Sequence, residues 1–171
     1  MTQPFPVVFI GPMAAGKTKV GKRVARALGV PFTDTDKRVV AVHGPIADIF
    51  GEHGAEHFRR LERQAVADAL AESTDPGGVV SLGGGAVLDA DTRADLGRCS
   101  VVYLTVEAGA VAHRIGGTKR PLLQGGIADW QRIFDERRPI YEELASIRFD
   151  TSTRPLDAIA ADIATWVRGT S

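Results

Sequence analysis

The chain has 171 residues, enough for one domain with a real core, and none of its apolar runs approaches the length that spans a bilayer. Its 21 Lys and Arg balance 21 Asp and Glu, so no global charge draws it to nucleic acid or to a membrane. A single cysteine, Cys99, excludes an internal disulfide and suits a reducing compartment. The first cation is Lys17 and no basic, apolar leader precedes it, so the expected location is the cytoplasm and the expected state a monomer.

In chain order, Val7–Ile10 reads as a buried strand and Lys17–Leu28 as a helix. Between them Gly11-Pro12-Met13-Ala14-Ala15-Gly16-Lys17-Thr18 fits G-x-x-x-x-G-K-S/T, the phosphate-binding loop, in the strand–loop–helix setting that such a loop occupies. Loop N–H groups and the positive end of the helix would hold two phosphates, Lys17 would reach the β and γ oxygens, and the Thr18 hydroxyl would ligate Mg²⁺. The alternative is an ordinary glycine-containing turn.

Pro31–Thr33 is a weaker strand candidate, and Lys37–Val42 a helix. Thr33-Asp34-Thr35-Asp36 lies between them. One carboxylate there can sit near the Mg²⁺ water shell while the other accepts the proton of an acceptor hydroxyl, as phosphoryl transfer requires. Equally, one Asp can simply cap the helix. The long helix Glu56–Glu72 opens on Phe58-Arg59-Arg60-Leu61-Glu62, and Trp130–Leu144 carries Glu136-Arg137-Arg138-Pro139. Paired arginines suit bidentate recognition of carboxylate or phosphate, or are solvated helix faces with Glu partners.

Thr74–Gly78 reads as a turn, Val79–Leu82 as a strand, and Gly83-Gly84-Gly85 follows at its end. Three glycines make sense where a ligand touches the backbone or the chain turns through positive φ. Helix Ala90–Leu96, strand Val101–Val106, helix Glu107–Ile115, strand Ile147–Phe149 and helix Leu156–Arg168 complete an alternation that predicts a parallel sheet covered by helices on both faces. Ligands in such sheets sit at the carboxyl ends of the strands. The segment from Gly116 to Ala128, with Gly116-Gly117 to hinge it and Lys119-Arg120 for charge, reads as a mobile lid that closes over the phosphates and excludes water.

The order of these motifs resembles the shikimate kinases, a group of P-loop kinases akin to the nucleoside-monophosphate kinases. The resemblance runs through Ala47-Asp48-Ile49-Phe50, Arg120-Pro121-Leu122-Leu123 and Arg137–Tyr141 as well as the motifs above, and so covers nearly the whole chain as one domain. It implies a three-layer α/β P-loop NTPase fold with a five-stranded parallel sheet, a P-loop at 11–18, an acceptor region at about 34–62 and a lid at about 116–128. The implied reaction is phosphorylation of the 3-hydroxyl of shikimate by ATP with Mg²⁺. Implied nucleotide contacts are Gly11, Ala14, Ala15, Gly16, Lys17, Thr18, Lys19, Arg114, Arg120 and Arg154. Implied acceptor contacts are Asp36, Arg59, Gly83, Gly84, Gly85 and Arg137. Asp36 would be the base, with Lys17 and Arg120 also catalytic, and Asp34 would support Mg²⁺ through water beside Thr18. The chain departs from the family at Ala14, usually glycine; if that position needs positive φ, alanine is strained there by about 1 kcal/mol or more. It departs also at Thr18-Lys19, where Ser-Thr is common, and in a slightly shortened lid.

Other readings stay open. Gluconate kinase is the nearest enzyme alternative and a nucleotide-binding regulatory module the nearest non-enzyme one. His53-Gly54-Ala55-Glu56-His57 fits the H-x-x-E-H zinc pattern, but it falls at a helix start and lacks a downstream third ligand. Cys99 reads as a small buried hydrophobe.

Overall fold

The computed structural model describes residues 3–115 and 125–169. Five strands, β1 (Val7–Ile10), β2 (Phe32–Asp34), β3 (Val79–Ser81), β4 (Ser100–Thr105) and β5 (Ile147–Asp150), form one parallel sheet in the order β2-β3-β1-β4-β5. Val8 at the centre pairs with Val80 on one side and Val101 on the other, while Asp34 ends beside Ser81 and Thr105 beside Asp150. Every residue of β1 and β3 is buried, which is what a parallel strand covered on both faces requires; β1 therefore reads as an unbroken apolar run, while β3 ends on the buried polar Ser81. Edge strand β5 instead alternates half-buried Ile147 and Phe149 with exposed Arg148 and Asp150.

Among the described residues seven α-helices pack around the sheet: α1 (Lys17–Leu28), α2 (Thr35–His43), α3 (Ile46–Glu72), α4 (Ala90–Leu96), α5 (Ala108–Ile115), α6 (Ile127–Leu144) and α7 (Leu156–Arg168). Among the described residues none is long and apolar enough to cross a membrane. The main core gathers the sheet, α1, α6 and α7, with Phe9, Tyr103, Trp130 and Tyr141 among its largest fully buried side chains. A second, small cluster of Val39, Ile49, Phe58 and Ala65 joins α2 to α3.

Helices α1, α4 and α7 have the bounds that their sequence signals predict. Three others begin earlier, α6 at Ile127 instead of Trp130, while α5 begins at Ala108, one residue after the expected Glu107. Helix α2 starts at Thr35 because the side chain of Asp34, not of a later residue, accepts from the Lys37 N–H. Helix α3 starts at Ile46 and is broken at Gly54 (φ 84°, ψ 172°), so regular helix resumes close to the predicted Glu56 and the turns before the break were not expected. A short 3₁₀ turn, Ala86–Leu88, directly follows the glycine triplet.

Candidate active site

The site begins where β1 ends. Gly11 passes so close to the Leu104 carbonyl of β4 that a Cβ there would collide with backbone. Ala14 then takes φ 67°, alone among the described non-glycine residues in being left-handed. Three carbonyls in a row are held by donors far away in sequence: Met13 O by the Trp130 indole at 2.8 Å, Ala14 O by Arg114 at 2.8 Å and Ala15 O by the Thr151 hydroxyl at 2.6 Å. The Lys17 ammonium donates to Gly11 O at 2.7 Å and Pro12 O at 2.9 Å, so its stem folds back over the loop it follows.

Thr18, in the first turn of α1, donates its hydroxyl to Asp34 Oδ2 at 2.6 Å, while Asp34 Oδ1 caps α2. The capping and functional alternatives for this aspartate are thus not exclusive, since each oxygen takes one part. A cavity of about 320 Å³ opens here, and its walls include Lys17, Thr18, Lys19, Asp34, Asp36 and Gly83.

Across the cavity the glycine triplet lies among charged side chains. A Cβ on Gly83 would sit 2.5 Å from Asp36 Oδ1 and 3.0 Å from Glu62 Oε2. One on Gly85 would sit 2.7 Å from the Arg59 guanidinium carbon, and one on Gly84 would be 3.5 Å from both Arg137 Nη1 and the Met13 nitrogen. None of the three has positive φ; at Gly83 and Gly85 the missing Cβ makes room for the Asp36 and Arg59 side chains, while a Cβ on Gly84 would make ordinary van der Waals contact. Arg59 donates to Glu62 Oε1 at 2.7 Å, an i,i+3 pair on α3. Glu62 is only 3% exposed. Burial pushes its carboxyl above the ordinary range and neighbouring Asp36 adds to the push, while Arg59 and Arg137 pull the other way. Tyr141 donates its hydroxyl to Gly84 O at 2.5 Å. Burial first of all holds that phenol's pKa up at about 12, so it remains a donor at any working pH.

Two carboxylates and two guanidiniums therefore surround three glycines and face the P-loop. Such a set can orient an anionic acceptor through arginine and take a hydroxyl proton on a carboxylate. Glu62 and Tyr141 were not singled out from sequence; the signals available were the i,i+3 spacing of Glu62 to Arg59 and the i,i+4 spacing of Tyr141 to Arg137. Thr151 and Trp130 carry no sequence signal, because their partners are loop carbonyls more than a hundred residues away.

Other anticipated residues are less central. Arg120 lies outside the described residues, as do residues 116–124 of the expected lid, while Ile127 and Ala128, expected in that lid, instead open helix α6. Arg154 does not line the cavity and pairs with Asp162 of α7 at 2.7 Å. His53 and His57 place their rings 4.7 Å apart, but Gly54 interrupts the helix between them and Arg60 stands 3.5 Å from His57 Nδ1. Among the described residues, no third His, Cys, Asp or Glu joins them in a metal-binding group. Cys99 is half-buried, and burial raises its thiol to about 11.

The family model of shikimate kinase matches residues 13–168. A shikimate kinase of Salinispora arenicola (strain CNS-205) is 46% identical over 160 residues, 92% of this chain and 94% of that one. Another, from Thermobifida fusca (strain YX), is 47% identical over 160 residues, 92% of this chain and 91% of its own. Among solved structures, shikimate kinase from Acinetobacter baumannii in complex with shikimate superimposes with a TM-score of 0.88 at 31% identity, covering 94% of this chain and 91% of that one.

Proposed function

We propose a division of labour for this chain, which belongs to the shikimate kinase family. Its activity is the transfer of a phosphoryl group from ATP to shikimate. One observation carries the residue-level reading: Lys17 and Thr18 of the P-loop share a single cavity with Asp36 and the shelf formed by Gly83 and Gly84. Donor and acceptor can therefore meet without either site moving.

On the nucleotide side, the loop N–H groups and Lys17 bind the phosphates. In the reaction Lys17 gives up loop carbonyls for phosphate oxygens, which stabilise its charge better. Thr18 and Asp34 form a hard-oxygen set that fits Mg²⁺. The Thr18 proton already points at Asp34, leaving lone pairs on its oxygen for a cation, with Asp34 acting through water. Bound Mg²⁺ would neutralise charge on the β and γ phosphates.

On the acceptor side, Arg59 and Arg137 bind the shikimate carboxylate. Glu62 holds Arg59 in place, and Tyr141 fixes the Gly84 peptide against which the ring lies. Asp36 orients the 3-hydroxyl and accepts its proton as the oxygen bonds to the γ-phosphorus. The bond to the bridging oxygen breaks, and its electron pair leaves with ADP. A paired-arginine anchor suits an acceptor carboxylate held on a rigid ring, which favours shikimate over the open-chain gluconate. Arg120 of the lid and Arg114 complete the nucleotide contacts, and the protein works as a monomer in the cytoplasm.

Phosphorus and proton NMR of the product tests this. The phosphate ester should appear on the 3-hydroxyl with wild type and form far more slowly with Asp36→Asn. An ester at another hydroxyl, or full turnover by the variant, would remove Asp36 from this role.

A further inference from the structure

We propose that Trp130 is a positioning residue of the nucleotide site, one of the clamps that keep the strained P-loop in its phosphate-binding shape. The inference rests on the phosphate-binding reading of that loop.

The strain centres on one peptide plane. A left-handed alanine costs about 1–2 kcal/mol relative to the ordinary helical or extended regions, and Ala14 has φ 67°. Relaxing that φ would rotate the plane joining Met13 to Ala14. In a trans peptide the carbonyl and the next N–H point in opposite directions. The Trp130 bond to Met13 O therefore also fixes where the Ala14 N–H points. The Thr151 bond to Ala15 O does the same for the Gly16 N–H, and Arg114 ties Ala14 O to the backbone of Thr151. The Trp130 and Thr151 bonds thus orient the Ala14 and Gly16 N–H groups, whereas the Ala15 N–H turns back to Pro12 O at 3.3 Å. A glycine at position 14 would adopt the same φ without strain and would depend less on such support.

Trp130 is well built for this. It is 1% exposed, in the first turn of α6, with its ring packed on Phe134 at 5.2 Å. Its neighbours along the same buried stripe of α6 are Phe134, Arg137 and Tyr141, spaced to fall on one helix face. One end of the stripe grips the P-loop and the other the glycine shelf, so α6 sets the spacing between the two substrates.

The test is calorimetric titration with Mg-ADP of four proteins: wild type, Trp130→Phe, Ala14→Gly and the double variant. Losing the indole bond should weaken Mg-ADP binding by about five- to tenfold when alanine is at 14, and by much less when glycine is there. The KM for shikimate should not move. Thr151→Val, nearly isosteric, should show the same dependence on residue 14 and decides the matter if Trp130→Phe does not fold. Losses equal in the two backgrounds, or within about twofold of wild type in both, would overturn the clamp. If wild type itself fails to bind Mg-ADP, the phosphate-site reading falls and the clamp with it.

Discussion

The two halves of the site are built in opposite ways. The phosphate half is eight consecutive residues, Gly11 to Thr18, working mainly through backbone and held from behind by Arg114, Trp130 and Thr151. The acceptor half is made of side chains from α2, α3 and α6 converging on the loop after β3, partly on the small α2–α3 core. Backbone recognition suits phosphate, which every kinase of this fold must bind. Side-chain recognition suits the acceptor, where specificity lies. Damage to one half should thus be separable from damage to the other.

The largest expected effect comes from Asp36, the proposed base. Asp36→Asn keeps the shape but cannot take the proton, so kcat should fall by roughly 10²–10⁴ while Mg-ADP binds as before, measured by turnover beside calorimetry. Lys17→Met attacks the other half. It should lower kcat by about 10²–10³ with the dissociation constant for shikimate nearly unchanged. If both variants lost both ligands equally, the division into halves would be wrong.

Arg59→Ala sharpens the comparison within the acceptor half. Loss of a charged hydrogen-bonding partner should raise the KM for shikimate about 10- to 100-fold with a smaller change in kcat, and nucleotide binding should be untouched. An unmoved KM would take Arg59 out of the carboxylate clamp.

The smallest effect is a slope with pH. Burial lifts the Glu62 carboxyl above its ordinary range, so the folded protein holds that proton more tightly than the unfolded chain does. The group's contribution to stability is then present below the ordinary glutamate pKa and is lost as pH rises through the lifted value. Glu62→Gln cannot ionise. Its urea midpoint should decline less than that of wild type from acidic to neutral pH, and a parallel decline would place the slope elsewhere.

What the sequence revealed follows the same divide. Unbroken apolar runs marked β1 and β4, and the P-loop spacing marked the phosphate half, because contiguous residues do the work there. The strain at Ala14 was anticipated from the need for positive φ, and the φ of 67° agrees. Asp36, Arg59, Arg137 and the triplet were legible only as isolated clusters, tied together by resemblance. Glu62 looked like a partner on a solvated face, although it is buried beneath Gly83 and paired to Arg59. The glycines' purpose, room for Asp36 and Arg59 rather than a special φ, depends on distances between elements that no local pattern encodes. The same holds for the donors behind the P-loop, which only the folded sheet brings there.

The most direct test of the whole account is the initial rate of ADP release from Mg-ATP with shikimate, quinate and gluconate as acceptors in parallel. Shikimate should have by far the highest kcat/KM, with that preference eroded in Arg59→Ala. Equal or better use of gluconate, or ADP release indifferent to acceptor, would contradict it.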